Sequence, residues 1–181
     1  GAAVTEALCS LGYKATPVEY KPDSVLKQLQ AINAKMVFIA LHGKYGEDGT
    51  IQSILELAGI PYTGSGVSSS AITMDKILSS RIFKQAGINM AFSMPYYLSD
   101  GLDKVEDSIK KHFKFPVVLK PACEGSTIGI EIVQKPGDLR DALSRAFLVE
   151  SRLLVETFLD GEEFTVAVLN GKALPLSLIH I

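Results

Sequence analysis

The chain has 181 residues, of which 47% are apolar and 21% are charged, and these proportions favour a globular protein over a disordered one. Its 18 basic and 20 acidic side chains leave a net charge of −2, which argues against a protein that binds nucleic acid through a basic face. The longest unbroken apolar run covers residues 36–41 and is far too short to span a membrane. Two cysteines, Cys9 and Cys123, make neither a disulfide framework nor a metal cluster.

Both ends of the sequence carry expectations of their own. Residues 1–5 lack the basic start and long apolar stretch of a signal peptide, so we expect a cytoplasmic protein. The sequence opens directly on a predicted helix that has no N-cap residue and that ends at Gly12. Because the N-cap is missing, we expect that further residues precede this helix. Residues 176–181, Leu-Ser-Leu-Ile-His-Ile, resemble the translation of a sequencing adapter, so we interpret them as a scar; the alternative is a genuine terminal strand.

The first half of the chain alternates between predicted strands and predicted helices. Residues 14–20 have the alternation of a strand, and residues 35–41 form the apolar run of a buried parallel strand. Further helices are predicted over residues 24–32, 50–58, 68–74 and 75–86. This order predicts a parallel sheet flanked by helices, in an α/β lobe over residues 1–91.

The pattern changes after residue 88, and a second, α+β unit is predicted over residues 92–175. Helices are predicted over residues 101–112 and 137–147. Strands are predicted over residues 93–98, 116–121, 130–133, 152–156 and 163–169. We expect the last two strands to pair antiparallel across a turn at residues 160–161.

The loop over residues 42–49 is the first candidate for chemistry. It lies where a predicted parallel strand ends and a helix begins, the place where α/β sheets bind ligands. His42 and Glu47 could bind a small polar substrate or transfer protons. The alternative is an ordinary polar turn whose acids complement the next helix.

Two lysines and a glycine-containing loop could hold a phosphate. Lys120 ends an apolar strand, and Lys76 begins a helix; either could bind phosphate or simply be solvated. Residues 124–129, Glu-Gly-Ser-Thr-Ile-Gly, offer backbone N–H groups and hydroxyls that could cover a phosphate. The alternative is an ordinary hairpin loop, since the sequence matches neither a Walker loop nor a dinucleotide fingerprint.

The last candidate is the strand and linker over residues 154–159. Its backbone could pair with an adenine edge, while Phe158 or Leu159 packs on the ring. A carboxylate a few residues later, within residues 162–163, could accept hydrogen bonds from the ribose hydroxyls. The alternative is a plain strand–linker–strand with exposed acids.

The order of these pieces resembles the D-alanine–D-alanine ligases of the ATP-grasp superfamily. The resemblance covers almost the whole chain, and two of its strings, His-Gly-x-x-Gly-Glu-Asp-Gly and Pro-Tyr-Thr-Gly-Ser-Gly, are specific to the family. The strings that carry it lie at residues 41–43, 46–49, 59–66, 74–76, 118–121, 124–126, 129, 155–156 and 161–164. It implies an N-terminal parallel-sheet lobe (pre-ATP-grasp, Rossmann-like), followed by the α+β first subdomain of an ATP-grasp domain.

The resemblance also implies a role for each matched residue. The residues matched to ATP binding are Lys76, Lys120, Glu124, Gly125, Ser126, Thr127, Gly129, Glu156, Thr157, Phe158, Leu159 and Glu163. Within that set the two lysines hold phosphates, residues 156–159 hold adenine, and Glu163 holds the ribose. His42 and Ser126 match groups that orient the first D-alanine, and Glu47 is the further candidate for substrate binding. Thr157 departs from the lysine often found at its position, and Thr127 replaces a common second serine while keeping a hydroxyl.

The implied reaction has two steps. ATP phosphorylates the carboxylate of one D-alanine, and the amine of a second D-alanine then displaces phosphate, which would supply a peptidoglycan precursor. The family uses Mg²⁺ (or Mn²⁺) and is usually a homodimer; its first strand, metal ligands and second-substrate loop would lie outside these 181 residues, so we expect this chain alone to be inactive. D-alanine–D-lactate ligases, other ATP-grasp ligases and a non-catalytic nucleotide-binding module are the alternatives.

Overall fold

The structure, a computed structural model that describes residues 1–125 and 127–178, has a mixed α/β fold. Helices occur at all seven predicted places: α1 (Ala2–Ser10), α2 (Val25–Ala31), α3 (Thr50–Leu57), α4 (Val67–Met74), α5 (Lys76–Gln85), α6 (Leu102–His112) and α7 (Leu139–Val149). The strands are β1 (Ser93–Tyr97), β2 (Val117–Pro121), β3 (Glu131–Val133), β4 (Arg152–Thr157), β5 (Phe164–Thr165), β6 (Val168–Leu169), β7 (Lys172–Ala173) and β8 (Ser177–Leu178). Within the described ranges, every helix is too short or too polar to cross a bilayer.

The main sheet has the strand order β1–β4–β2–β3, and every neighbouring pair is antiparallel. Because side chains alternate across a strand, Val117 and Leu119 of β2 turn to one face of the sheet. That face packs on α6 and α7 in a core that also contains Ile109 and Leu143, both fully buried. The opposite face carries the polar side chains of β2 and β4 together with the buried Leu154.

A second, smaller core lies in the first half of the chain. Val25 and Leu29 of α2 pack there against Ile51 and Leu55 of α3. The spacing of four residues within each pair places its two members on one helical face. This core supports the loop over residues 42–49, and that loop leads into the N-terminus of α3.

The parallel sheet expected in this half is reduced to one bridge, between Val37 and Tyr62. The pairing ends there because the Ile39 amide donates to the side-chain hydroxyl of Thr63, 3.1 Å away, instead of to a backbone carbonyl. The strand expected over residues 14–20 is wrong: Val18 packs on the small core without strand pairing, and Pro17 has no N–H to donate.

The expected pairing of residues 163–169 with residues 152–156 is also wrong. Both edges of β4 are already occupied, by β1 and by β2, so no edge is open to a further strand. The segment instead divides into β5, which pairs with β8, and β6, which pairs with β7.

Helix α5 packs on the preceding helix α4 and on the main sheet. Its Ile77 is buried against Leu154 of β4 and Ala122, the residue after β2. The predicted lobe boundary between residues 91 and 92 stays a prediction, and α5 lies before it in sequence while packing on the sheet that follows it.

Candidate functional site

Lys120 and Glu156 meet on the face of the main sheet that is turned away from α6 and α7. Val118 of β2 lies opposite Glu156 of β4 in the register, and Lys120 is two residues further along β2 on the same face. The Lys120 ammonium donates to the Glu156 carboxylate. These side chains are 29% and 14% exposed, so this is a partly shielded ion pair at the surface of the sheet.

The N-terminus of α5 places Lys76 beside this pair. The Lys76 ammonium donates to the backbone carbonyl of Glu124, which ties α5 to the loop that follows β2. Burial lowers the pKa of Lys76; nearby Cys123 and Glu150 act against this effect, and the charge of Lys120 adds to it. Two ammonium groups therefore lie close enough to repel each other, and a bound anion would relieve that repulsion.

The loop over residues 124–129 follows directly from β2. Gly129 has φ +69°, and a side chain there would come within 2.9 Å of Pro121 and Val149, so this position requires glycine. Thr127 is exposed and has φ +68°, an uncommon backbone conformation for a β-branched residue. Glu124 and Gly125 lie in the described part of this loop, whereas Ser126 lies outside the described residues.

The linker after β4 already uses two of its backbone donors. The Thr157 amide donates to the Phe92 carbonyl at 2.9 Å, and the Phe158 amide donates to the Pro116 carbonyl at 3.2 Å. Leu159, the next residue, is 70% exposed. Glu163 is also exposed, immediately before β5.

The loop over residues 42–49 is organised by its own acids. Glu47 accepts a hydrogen bond from the Gly43 amide at 2.6 Å, and its other carboxylate oxygen lies 3.8 Å from Nδ1 of His42. Asp48 accepts from the amides of Tyr45 and Thr50. Burial alone would raise the pKa of Asp48, but these hydrogen bonds outweigh burial and lower it. The alternative of a self-contained polar turn therefore describes Asp48 well.

A cleft of about 360 Å³ connects this loop to the loop that follows β2. The described residues that line it are Lys44, Asp48, Ala71, Met74, Asp75, Leu78, Cys123, Glu124 and Glu150. The structure thus brings Glu124 and the N-terminus of α5 to one side of the cleft and Asp48 to the other. His42 and Glu47 are outside this lining set, and the His42 side chain is 88% exposed.

Comparison with protein families identifies this arrangement. The family model described as D-ala D-ala ligase C-terminus matches residues 82–180, and the model described as D-ala D-ala ligase N-terminus matches residues 5–65. The chain belongs to the D-alanine–D-alanine ligase family. This confirms the family and the mixed α/β fold class that the sequence predicted.

Individual relatives of the ligase family agree. A D-alanine–D-alanine ligase of Citrifermentans bemidjiense is 44% identical over 174 residues, covering 96% of this chain and 54% of the relative. The chain also resembles a crystal structure of a Bacillus anthracis D-alanine–D-alanine ligase complexed with ATP, with a TM-score of 0.80 and 32% identity, covering 99% of this chain and 61% of that one. The chain spans about half the length of the curated relatives it matches.

Sequence reasoning missed one group of residues at this ligase-family site. Arg152, at the start of β4, contacts Asp75, Glu150 and Cys123 just behind Lys76. Strand alternation offers a signal for it, because Arg152 is four residues before Glu156 and therefore on the same face of the sheet. Two of its partners, Asp75 and Cys123, come from distant segments that no local pattern connects to Arg152.

A metal-binding set is a separate question. Within residues 1–125 and 127–178, no three His, Cys, Asp or Glu side chains are grouped so that they could hold a metal ion. The described part of the chain therefore does not fit a Mg²⁺ site.

Proposed function

We propose that the protein to which this chain belongs is an ATP-dependent ligase that joins two D-alanine molecules through an acyl-phosphate intermediate. The observation that carries the proposal is the convergence of Lys76 and Lys120 beside the loop over residues 124–129. Family membership supports the same reading, since the curated relatives are named D-alanine–D-alanine ligases and one structural neighbour holds ATP.

In this proposal the nucleotide lies on the sheet face that carries Lys120. The ammonium groups of Lys76 and Lys120 bind its phosphates, and residues 124–129, including Ser126 and Thr127, cover them with backbone N–H groups and hydroxyls. Adenine lies along the linker over residues 156–159. Because the amides of Thr157 and Phe158 are engaged, we propose the Leu159 amide as the donor to adenine, and Glu163 as the acceptor for ribose.

D-alanine is proposed to bind between the loop over residues 42–49 and the phosphate site. The cleft there is lined by carboxylates, among them Asp48 and Glu124, which suit the ammonium group of an amino acid. The proposed substrate-orienting groups are His42 and Glu47 of the first loop and Ser126 of the loop over residues 124–129.

The proposed reaction requires mainly that the substrates are positioned and that the negative charge of the phosphoryl group is neutralised. The carboxylate of the first D-alanine attacks the terminal phosphorus of ATP, which forms the acyl phosphate and releases ADP. The amine of the second D-alanine attacks the acyl carbon, loses a proton and expels phosphate. Lys76 and Lys120 offset the negative charge of the transferring phosphoryl group. Mg²⁺, or Mn²⁺, would accompany the phosphates of ATP and neutralise part of the same charge.

Two attributes of the whole enzyme also belong to the proposal. A cytoplasmic location suits an enzyme that consumes ATP. A homodimer is what the family resemblance implies, and sedimentation of the complete protein measures it.

A chimaera tests the proposed activity. In it, this chain replaces the matched 175 residues of the Geobacter sulfurreducens relative, which is 43% identical to it. We expect release of ADP that depends on D-alanine, with D-alanyl-D-alanine as the product. Lys120→Ala is expected to lower the rate by about 100-fold or more, because a charge-stabilising contact to the transferring phosphoryl group is lost.

Lys104→Ala is the matched control for that chimaera, since it removes the same charge from an exposed position on α6. It should leave the rate unchanged. A folded chimaera without D-alanine-dependent ADP release, or one that tolerates Lys120→Ala, would contradict the proposal.

A further inference from the structure

Arg152 joins three segments behind the proposed phosphate site. One terminal nitrogen of its guanidinium donates to Asp75 at 2.8 Å. The other lies 3.3 Å from a carboxylate oxygen of Glu150 and 2.9 Å from the Cys123 sulfur. The side chains of Asp75 and Glu150 are only 9% and 16% exposed, so Arg152 is the cation that compensates two largely buried carboxylates.

Asp75 in turn fixes the start of α5. Its other carboxylate oxygen caps the helix by accepting from the amides of Ile77 and Leu78 at 2.9 and 3.1 Å. The backbone of Lys76 is held separately, since its amide donates to the Ala122 carbonyl at 2.8 Å. Two sets of contacts therefore fix the backbone at Lys76: the hydrogen bond to Ala122 and the cap formed by Asp75. Arg152 supports the second, because it holds the Asp75 carboxylate.

The same contacts determine whether the Glu150 carboxylate pairs with Arg152 or with Lys76. Glu150 lies near enough to Lys76 to act on its pKa, and Lys76 and Arg152 share Cys123 as a neighbour. Glu150 also accepts a hydrogen bond from the Cys123 amide at 2.7 Å. If Arg152 were neutral, Glu150 would lose its guanidinium partner and would attract the Lys76 ammonium, on which it already acts, away from a phosphate.

We propose that Arg152 is a positioning residue for Lys76: by holding the carboxylates of Asp75 and Glu150, it leaves the Lys76 ammonium available to bind a phosphate of ATP. The inference rests on the proposed role of Lys76 in nucleotide binding. Arg152 itself does not contact the nucleotide in this account. Its planar fork reaches two carboxylates at once, which a lysine ammonium does less well.

The first measurement is calorimetric titration of the 181-residue chain with ATP and with adenosine. We expect Arg152→Gln to weaken ATP binding by about tenfold, the usual size of one lost charge-assisted contact, and to leave adenosine binding unchanged. Arg152→Lys should rescue only part of this loss. Arg145→Gln is the matched control, because Arg145 also grips a carboxylate with two nitrogens, at Glu131, but lies on the exposed side of α7.

A double-variant cycle separates positioning from a general loss of structure. If Arg152 acts through Lys76, adding Arg152→Gln to Lys76→Ala should cause little further loss of ATP affinity. Equal losses of ATP and adenosine affinity, or fully additive losses in the double variant, would overturn the proposal. Circular dichroism and thermal unfolding check that each variant remains folded.

The second measurement needs no nucleotide and therefore separates this inference from the proposed function. The pKa of the Lys76 ammonium is followed by NMR of the isotopically labelled side chain. In the wild type it should lie below its ordinary value of 10.5. In Arg152→Gln it should rise, because Glu150, which already raises the pKa of Lys76, is then no longer compensated by Arg152. An unchanged Lys76 pKa would overturn the positioning role even in a chain that does not bind ATP.

Discussion

At the scale of single residues, the candidate site depends on charges that are partly removed from water. The Asp75 residue as a whole, backbone included, is 7% exposed. Burial alone would raise its pKa, but the hydrogen bond from the Leu78 amide and the ion pair with Arg152 outweigh burial and lower it. The ionised form is therefore the one that the folded chain stabilises, with Arg152 and Cys123 as its charged and titratable neighbours.

This pKa shift predicts a loss of stability in acid. Because the folded pKa lies below the ordinary value of 3.8, the stabilisation is complete above that value and is lost as the pH falls through the folded pKa. Asp75→Asn removes the charge while keeping a capping oxygen. It should lower the free energy of unfolding at pH 7 by about 1.5–3 kcal/mol, the range for a hydrogen bond to a charged group.

Urea unfolding between pH 2 and pH 7 measures this effect. Asp103→Asn is the control, since Asp103 also pairs with an arginine but its side chain is 86% exposed. The slope of stability with pH should flatten in Asp75→Asn and not in Asp103→Asn. Parallel profiles for the wild type and Asp75→Asn would contradict the assignment.

At the scale of elements, one face of the main sheet packs on the hydrophobic core, and the other face carries the candidate site. Leu143 of α7 is fully buried against the inner face, whereas Leu148 of the same helix is 87% exposed. Leu143→Ala should lower the free energy of unfolding by about 2–5 kcal/mol, since it leaves a cavity in the core. Leu148→Ala should change it by less than about 0.5 kcal/mol. Equal effects of the two substitutions in urea unfolding would contradict the packing described.

The linker after β4 permits a test of the proposed adenine contact. Leu159→Pro removes the backbone N–H that we propose as the donor to adenine, whereas Leu159→Ala keeps it and removes only the side chain. Adenosine binding to Leu159→Pro should weaken by about 1 kcal/mol relative to Leu159→Ala, the usual worth of one neutral hydrogen bond. If the two variants bind adenosine equally, adenine does not use that amide.

The elements also show what the sequence could predict. All seven helices follow from apolar spacing and from stop signals such as Gly87, because both are local properties. Strand pairing is harder to predict from the sequence because it depends on distant contacts. The Thr63 hydroxyl ends the parallel pairing at Val37, and the occupied edges of β4 prevent residues 163–169 from pairing with it. The same limit applies to the candidate site, where Lys120 and Lys76 could be found from their positions but the partners of Arg152 could not.

At the scale of the whole molecule, α5 is the helix that begins at Lys76 and packs on the main sheet. It follows the first core in sequence, packs on β4 through Ile77 and presents Lys76 to the face that carries Lys120. The cleft between the loop over residues 42–49 and the loop that follows β2 is lined by Asp75 and Leu78 at the start of α5.

The central claim is that Lys76 and Lys120 together bind the phosphates of ATP, and calorimetric titration of the chain with ATP tests it most directly. Lys76→Ala and Lys120→Ala should each weaken ATP binding by about tenfold or more, while Lys104→Ala, with the same change in net charge, should leave it unchanged. If all three variants bind ATP as the wild type does, or if all three weaken equally, the claim is wrong.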